Sequence, residues 1–136
     1  MRLVYVAHPL RGNPEANMAS IEYIMQSLVE AHPGTNFFSP LHGYSYFDCA
    51  GPQDGVMACC LDMIDRADEV WFFGDWASSE GCTKELLHSF RKGKRVAFKS
   101  LEALNALEAL ETAFKVMREK NSPCRERIPE DDPCSA

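Results

Sequence analysis

The sequence predicts an α/β domain whose parallel sheet is covered by helices on both faces, on three observations. Short β-rich apolar runs alternate with longer segments of helical spacing. Pro and Gly mark most of the junctions between them. A chain of 136 residues, 46% hydrophobic and 25% charged, has material for one core and no composition shift that would divide it in two. Strands that alternate with helices pair in parallel, because each crossover carries the chain back over the sheet in a right-handed sense.

Each element has its own signal. Arg2 to Ala7 is a β-rich apolar run, followed by the turn-rich stretch His8-Pro9-Leu10-Arg11-Gly12-Asn13. Pro14 opens a helix to Ala31, with Met18, Ile21, Ile24, Met25 and Leu28 on one face and Pro33-Gly34 as its stop. Asn36 to Ser39 forms a brief second strand. Pro40 to Asp54 is a long loop rich in Tyr, Phe, Gly and His, and loops of that length usually serve function. Val56 to Arg66 is helical through Val56, Cys59, Cys60, Met63 and Ile64, and leads to a third strand at Glu69 to Phe73. A third helix follows from Ser79 to Lys92, capped by Gly93, and Arg95 to Lys99 is a fourth strand. Leu101, Leu104, Leu107, Leu110 and Phe114 mark a last amphipathic helix. The domain is expected over residues 1–118 and a disordered polar tail over 119–136, where apolar content is too low to offset the entropy of ordering.

Charge and motifs exclude several classes. A formal net charge of -6 argues against nucleic acid and anionic membranes as partners. No apolar run is long enough to span a bilayer and no basic, apolar leader is evident, which predicts a cytoplasmic protein. The six cysteines show no C-x-x-C spacing, so Cys59, Cys60 and Cys82 read as reduced core thiols, and no metal is expected. Neither G-x-G-x-x-G nor G-x-x-x-x-G-K-[ST] occurs, which removes the usual support for dinucleotide or NTP binding, and G-x-S-x-G is also missing.

The chemistry concentrates where the third strand ends. An apolar run to Gly74 breaks at Asp75 and Trp76 into Ala77-Ser78-Ser79-Glu80-Gly81-Cys82-Thr83-Lys84-Glu85. In an open α/β sheet, ligands collect at the carboxyl ends of strands, beside unpaired N–H groups of the next helix. Glu85 falls in the first or second turn of that helix, where the dipole favours an ionised carboxylate; it reads either as a nucleophile or as an acid that merely complements the helix end. Ser79 and Gly81 read as an anion cradle, or Ser79 simply as the helix cap. Asp75 is an acid or hydrogen-bond partner, or a turn residue. Trp76 is a stacking wall or a core plug. Tyr5, His8, Pro9 and Arg11 belong to the first strand and its loop, which can flank the same crevice. Arg11 could grip a phosphate or be a solvated charge, and His8 could be a satisfied turn histidine. His42, Tyr44, Tyr46 and Asp48 form a flap or an aromatic loop packed on the core, while Asp62, Asp65 and Asp68 read as solvated acids.

The runs Leu3-Val4-Tyr5-Val6-Ala7-His8-Pro9-Leu10-Arg11-Gly12 and Ala67-Asp68-Glu69-Val70-Trp71, with Trp76-x-x-Ser79-x-Gly81-x-x-x-Glu85, resemble the nucleoside 2-deoxyribosyltransferase-like superfamily, most nearly its short bacterial and phage members. The resemblance covers Arg2 to about Phe98. It implies a flavodoxin-like, Rossmann-like three-layer sandwich with a four- to five-stranded parallel sheet. The implied activity is cleavage or transfer at the N-glycosidic bond of a 2-deoxynucleoside or its 5′-monophosphate, without a cofactor. On that analogy Glu85 is the nucleophile, Tyr5 orients it or the sugar, and Ser79 with nearby N–H groups holds a 5′-phosphate or 5′-hydroxyl. A homo-oligomer acting on small molecules is implied as well. The chain departs from the pattern in two places: Cys60 stands where transferases of this kind place an aspartate, with Asp62 two residues on, and His8 stands where relatives have a small residue. These departures motivate a rival expectation, a non-catalytic module that binds or sequesters a nucleotide. A scaffold that oligomerises through the leucine-rich last helix is a third.

Overall fold

Alternation along the strands decides what lies on each side of the sheet. The computed structural model describes residues 1–100, 110 and 112–119. Along these the chain forms β1 (Leu3–Ala7), α1 (Pro14–Ala31), β2 (Asn36–Phe38), α2 (Pro40–Gly43), α3 (Asp54–Arg66), β3 (Glu69–Phe72), a 3₁₀ turn (Trp76–Ser78), α4 (Glu80–Arg91) and β4 (Arg95–Phe98). The four strands pair in parallel in the order β2-β1-β3-β4, with Tyr5 opposite Phe38 on one side and Val70 on the other. Val4, Val6, Trp71, Phe73 and Ala97 meet Ile21, Ile24 and Leu28 of α1. Tyr5, Ala7, Val70 and Phe72 meet Cys60 and Ile64 of α3 and Cys82 of α4. The result is a three-layer sandwich, as the period-two alternation of a sheet buried on both faces requires.

The expected α1 coincides with the observed helix, because Asn13 caps it by accepting the Ala16 N–H and Pro14 sits at its first position. Two details were not legible. The long loop after β2 holds the short helix α2, and a 3₁₀ turn precedes α4. The last expected helix is described only at residues 110 and 112–119, which are helical; its first turns and the polar tail beyond residue 119 lie outside the described residues.

Polar latches close the ends of the sandwich. The Asp68 carboxylate accepts the Leu3 N–H at 2.7 Å while the Asp68 N–H donates to the Leu3 carbonyl at 2.8 Å, which fixes the start of β1. Lys94 donates to the Asp65 and Ala67 carbonyls at 2.9 and 2.8 Å, satisfying the end of α3. His88 of α4 bonds the Asp65 carboxylate at 2.7 Å, and this bond holds the Asp65 carboxyl below its usual range. Asp62 is exposed and pairs with Arg66 at 3.1 Å.

Gly43 ends α2 under the Phe38 ring: a Cβ there would lie 2.6 Å from Phe38 Cε2 and Cζ. Gly43→Ala is therefore expected to destabilise by about 1–3 kcal/mol through overpacking, read as a lower urea midpoint at unchanged slope.

Candidate active site

The strand order reverses between β1 and β3. The chain leaves β1 toward β2, then crosses back over the sheet to β3, so the carboxyl ends of β1 and β3 lie side by side at the point where ligands collect in open α/β sheets. The first loop supplies His8, Pro9 and Arg11. The second supplies Asp75, Trp76 and Ser79, and α4 follows directly.

Within α4 the residues Cys82, Glu85 and Ser89 are buried, spaced i, i+3 and i+7 on the face that meets the sheet. Glu85 is 5% exposed, and Tyr5 of β1 donates its hydroxyl to Glu85 Oε2. The Ser89 hydroxyl donates to the Glu85 carbonyl at 2.7 Å, which fixes the backbone behind the acid. Cys60, from α3, lies beside the Tyr5 hydroxyl, and both it and Cys82 of α4 lie close enough to Glu85 to feel its charge. A carboxylate from α4, a phenol from β1 and two thiols thus converge in the apolar layer between sheet and helices.

Burial dominates the electrostatics. It pushes the Glu85 carboxyl up to about 7, against the lowering effect of the Tyr5 hydrogen bond. The helix-end argument pointed the other way, toward an ionised acid. It loses because Glu85 is the sixth residue of α4, beyond the first turn where the dipole acts, and because desolvation of a fully buried carboxylate is the larger effect. Burial also raises both thiols to about 12 and Tyr5 well above its ordinary value, with the Glu85 charge adding to each.

The remaining predicted residues lie on the loops after β1 and β3 and at the start of α4. The Ser79 hydroxyl caps α4 by accepting the Cys82 N–H at 3.2 Å, and Gly81 lies against Met57 of α3. Trp76 stacks on Phe98 with ring centroids 4.8 Å apart and meets Phe72 edge-on, so one of its faces is already occupied. Asp75 is exposed at the start of the 3₁₀ turn, and Arg11 is exposed with no ion pair among the described residues.

His8 is buried. Its Nδ1 donates to the Pro9 carbonyl at 2.7 Å, leaving Nε2 to accept the Ser20 hydroxyl at 3.0 Å, and burial pushes its basicity down. Pro9 is buried next to it. Both pack on Gly74, whose φ of +67° no side chain tolerates comfortably and whose missing Cβ would fall 3.2 Å from His8 Nε2. His8 and Pro9 thereby tie the first loop to the third.

Tyr44 anchors the aromatic loop by packing on Phe38, itself against Tyr5, and by donating to the Cys59 carbonyl at 3.3 Å. Tyr46 stays outside, stacked on Phe47, and His42 bonds the Ser39 hydroxyl at 2.8 Å. A separate groove of about 500 Å³ beside β2 is lined by Met25, Phe37, Phe38 and His42 and does not include Glu85. Among the described residues, no group of three or more His, Cys, Asp or Glu is gathered to hold a metal, and no helix is long and apolar enough to cross a membrane. Cys82, Ser89 and Ser20 were not singled out as site residues from sequence. The helical phase around Glu85 was the available signal for the first two.

A parallel sheet with helices on both faces and a buried acid on the helix after β3 defines a three-layer α/β protein. Residues 2–98 match the family described as a domain of unknown function, DUF4406, and the chain belongs to that family. The fold is nucleoside 2-deoxyribosyltransferase-like. The 2-deoxyribosyltransferase from the psychrotolerant bacterium Bacillus psychrosaccharolyticus superposes with a TM-score of 0.57 at 24% identity, over 72% of this chain and 72% of that one. A conserved protein from Enterococcus faecalis V583 superposes with a TM-score of 0.57 at 17% identity, over 82% of this chain and 75% of that one. No curated protein sequence matches the chain.

Tyr5→Phe removes the donor that holds Glu85 toward its charged form. The midpoint of Glu85 titration is expected to move upward by about one unit or more, since hydrogen bonds to charged groups are worth roughly 1.5–3 kcal/mol. Carbonyl-region infrared titration of the variant against the parent checks this.

Proposed function

We propose that this protein cleaves or transfers at the N-glycosidic bond of a 2-deoxynucleoside or its 5′-monophosphate, with Glu85 as nucleophile. The observation that carries the reading is the buried Glu85–Tyr5 pair at the switch point: an acid kept in an apolar layer against its desolvation cost, held by a phenol from the neighbouring strand. Such an acid fits glycosyl chemistry, because a carboxylate can trap an oxocarbenium-like C1′ covalently before an acceptor resolves the ester. The likeness to a deoxyribosyltransferase described as a biocatalyst for nucleoside synthesis supports the same class.

In this reading Tyr5 orients the carboxylate and keeps it more acidic than burial alone would. Ser79 and the first N–H groups of α4 receive the 5′-oxygen or phosphate. Arg11 adds charge for a phosphate from across the crevice, Trp76 and Asp75 line its mouth, and His8 with Pro9 fix the loop wall. Activity rises with pH through about 7, because only the ionised Glu85 attacks. A cytoplasmic location and a homo-oligomer accompany this reading.

A panel of deoxynucleosides and monophosphates, followed by base release and by intact-mass detection of a deoxyribosyl adduct, tests it. Release of base with an adduct on the peptide containing Glu85 is expected. Cys60, a thiol beside Tyr5, favours a second reading of binding without turnover. That reading predicts thermal stabilisation by nucleotides with neither base release nor adduct.

A further inference from the structure

We infer that the Glu85 site acts on N-glycosides whose base already carries a positive charge, such as N-alkylated purine or pyridinium nucleotides, in preference to their neutral counterparts. The inference rests on the glycosidic reading above and specifies its substrate class.

The groups that face Glu85 are the reason. From β1 comes the Tyr5 hydroxyl, already donated to the acid; from α3, Cys60; from α4 itself, Cys82, with the Ser89 hydroxyl committed to the Glu85 carbonyl. The nearby acids are directed elsewhere: Asp62 pairs with Arg66, and Asp65 with His88. His8 is engaged by the Pro9 carbonyl and the Ser20 hydroxyl, and Asp75 is exposed at the start of the 3₁₀ turn. Two buried thiols and a buried phenol hold their protons too tightly to deliver one to a departing base near neutral pH. A neutral purine or pyrimidine needs that proton, for without it the base leaves as an anion. A cationic base does not.

The step then balances without an acid. A Glu85 carboxylate oxygen forms a bond to C1′ as the C1′–N bond breaks, and the bonding pair passes to the base nitrogen and cancels its positive charge. Water next attacks C1′, the ester bond to Glu85 breaks and returns its pair to the carboxylate, and the water proton goes to solvent.

Charge compensation points the same way. Among the described residues, no Lys, Arg or His pairs with Glu85, so its ionised form is buried without a counter-charge. A cationic substrate supplies the missing partner and stabilises the reactive carboxylate as it binds.

The test uses the wild-type protein and two matched pairs: 7-methyl-2′-deoxyguanosine 5′-monophosphate with 2′-deoxyguanosine 5′-monophosphate, and 2′-deoxy-nicotinamide mononucleotide with its reduced form. For each, base release is expressed as the enhancement over the spontaneous rate, so that leaving ability in water cancels. At least one cation is expected to show an enhancement about 10² or more above its neutral partner, the low end of what a general acid contributes, and which pair responds separates an alkylated purine from a pyridinium source. Equal enhancements within both pairs overturn this inference and leave the glycosidic reading standing. No base release and no adduct from any of the four, or from the deoxynucleoside panel, removes the glycosidic reading and this inference with it.

Discussion

Glu85→Gln is expected to abolish base release, by about 10³-fold or more, while leaving the fold intact. The amide is isosteric and still accepts the Tyr5 hydroxyl, but it cannot form the ester through which the proposed reaction passes. The same variant carries a stability signature. In the folded protein the Glu85 carboxyl is raised from 4.5 to about 7, so the folded state holds its proton more tightly than the unfolded chain does. The sign follows: this contribution is present in full below pH 4.5 and is lost as pH rises through about 7. The wild type should lose on the order of 3 kcal/mol relative to Glu85→Gln across that window, taking 1.36 kcal/mol per unit. Urea melts of both proteins from pH 4.5 to 8 measure the difference, and taking the difference cancels His8 and Asp65. A flat difference would show that Glu85 is not desolvated, and intact base release would remove it from the chemistry.

Trp71→Ala is expected to cost about 3–5 kcal/mol, a large part of the stability of a domain of this size. Trp71 is among the largest fully buried side chains; its ring meets Phe37 and His32 edge-on, and Lys99 lies 5.2 Å above it. Its indole N–H donates at 3.0 Å to Glu69, itself 2% exposed and paired with Arg2 at 3.1 Å. Truncation leaves a cavity on the α1 face and takes one hydrogen bond from a buried carboxylate. Trp71→Phe, which fills most of the volume and loses only that bond, should cost about 1–3 kcal/mol. Because Trp71 faces α1 and Glu85 faces the other layer, base release per folded molecule should be nearly unchanged in Trp71→Phe, so chemical denaturation and turnover respond separately.

The α/β class, the order of elements and the location of the candidate site at the end of β3 were legible in the sequence. Local signals are strong there: Asn13 and Pro14 open α1, and Val4, Val6, Val70 and Phe72 read as strand without any knowledge of partners. The helix inside the loop after β2 was not legible, because Pro40 to Gly43 makes only one turn and its Gly43 is required by a Phe38 ring brought close in space. Nor was the role of His8, which depends on Ser20 and Gly74 arriving from other elements.

Periodicity and turn chemistry are properties of neighbouring residues, so the position of an acid at 85 on a helix just past the third strand could be read without coordinates. The protonation state of that acid depends instead on groups brought to it from elsewhere in the chain. Parallel pairing of β1 with β3 carries Tyr5 across 80 residues to Glu85, and packing of α3 and α4 on the same face removes water and surrounds the carboxylate with Cys60 and Cys82. Desolvation depends on atoms distant in the chain, so the rise of Glu85 to about 7, and with it the chemistry proposed here, arises only once the layers close.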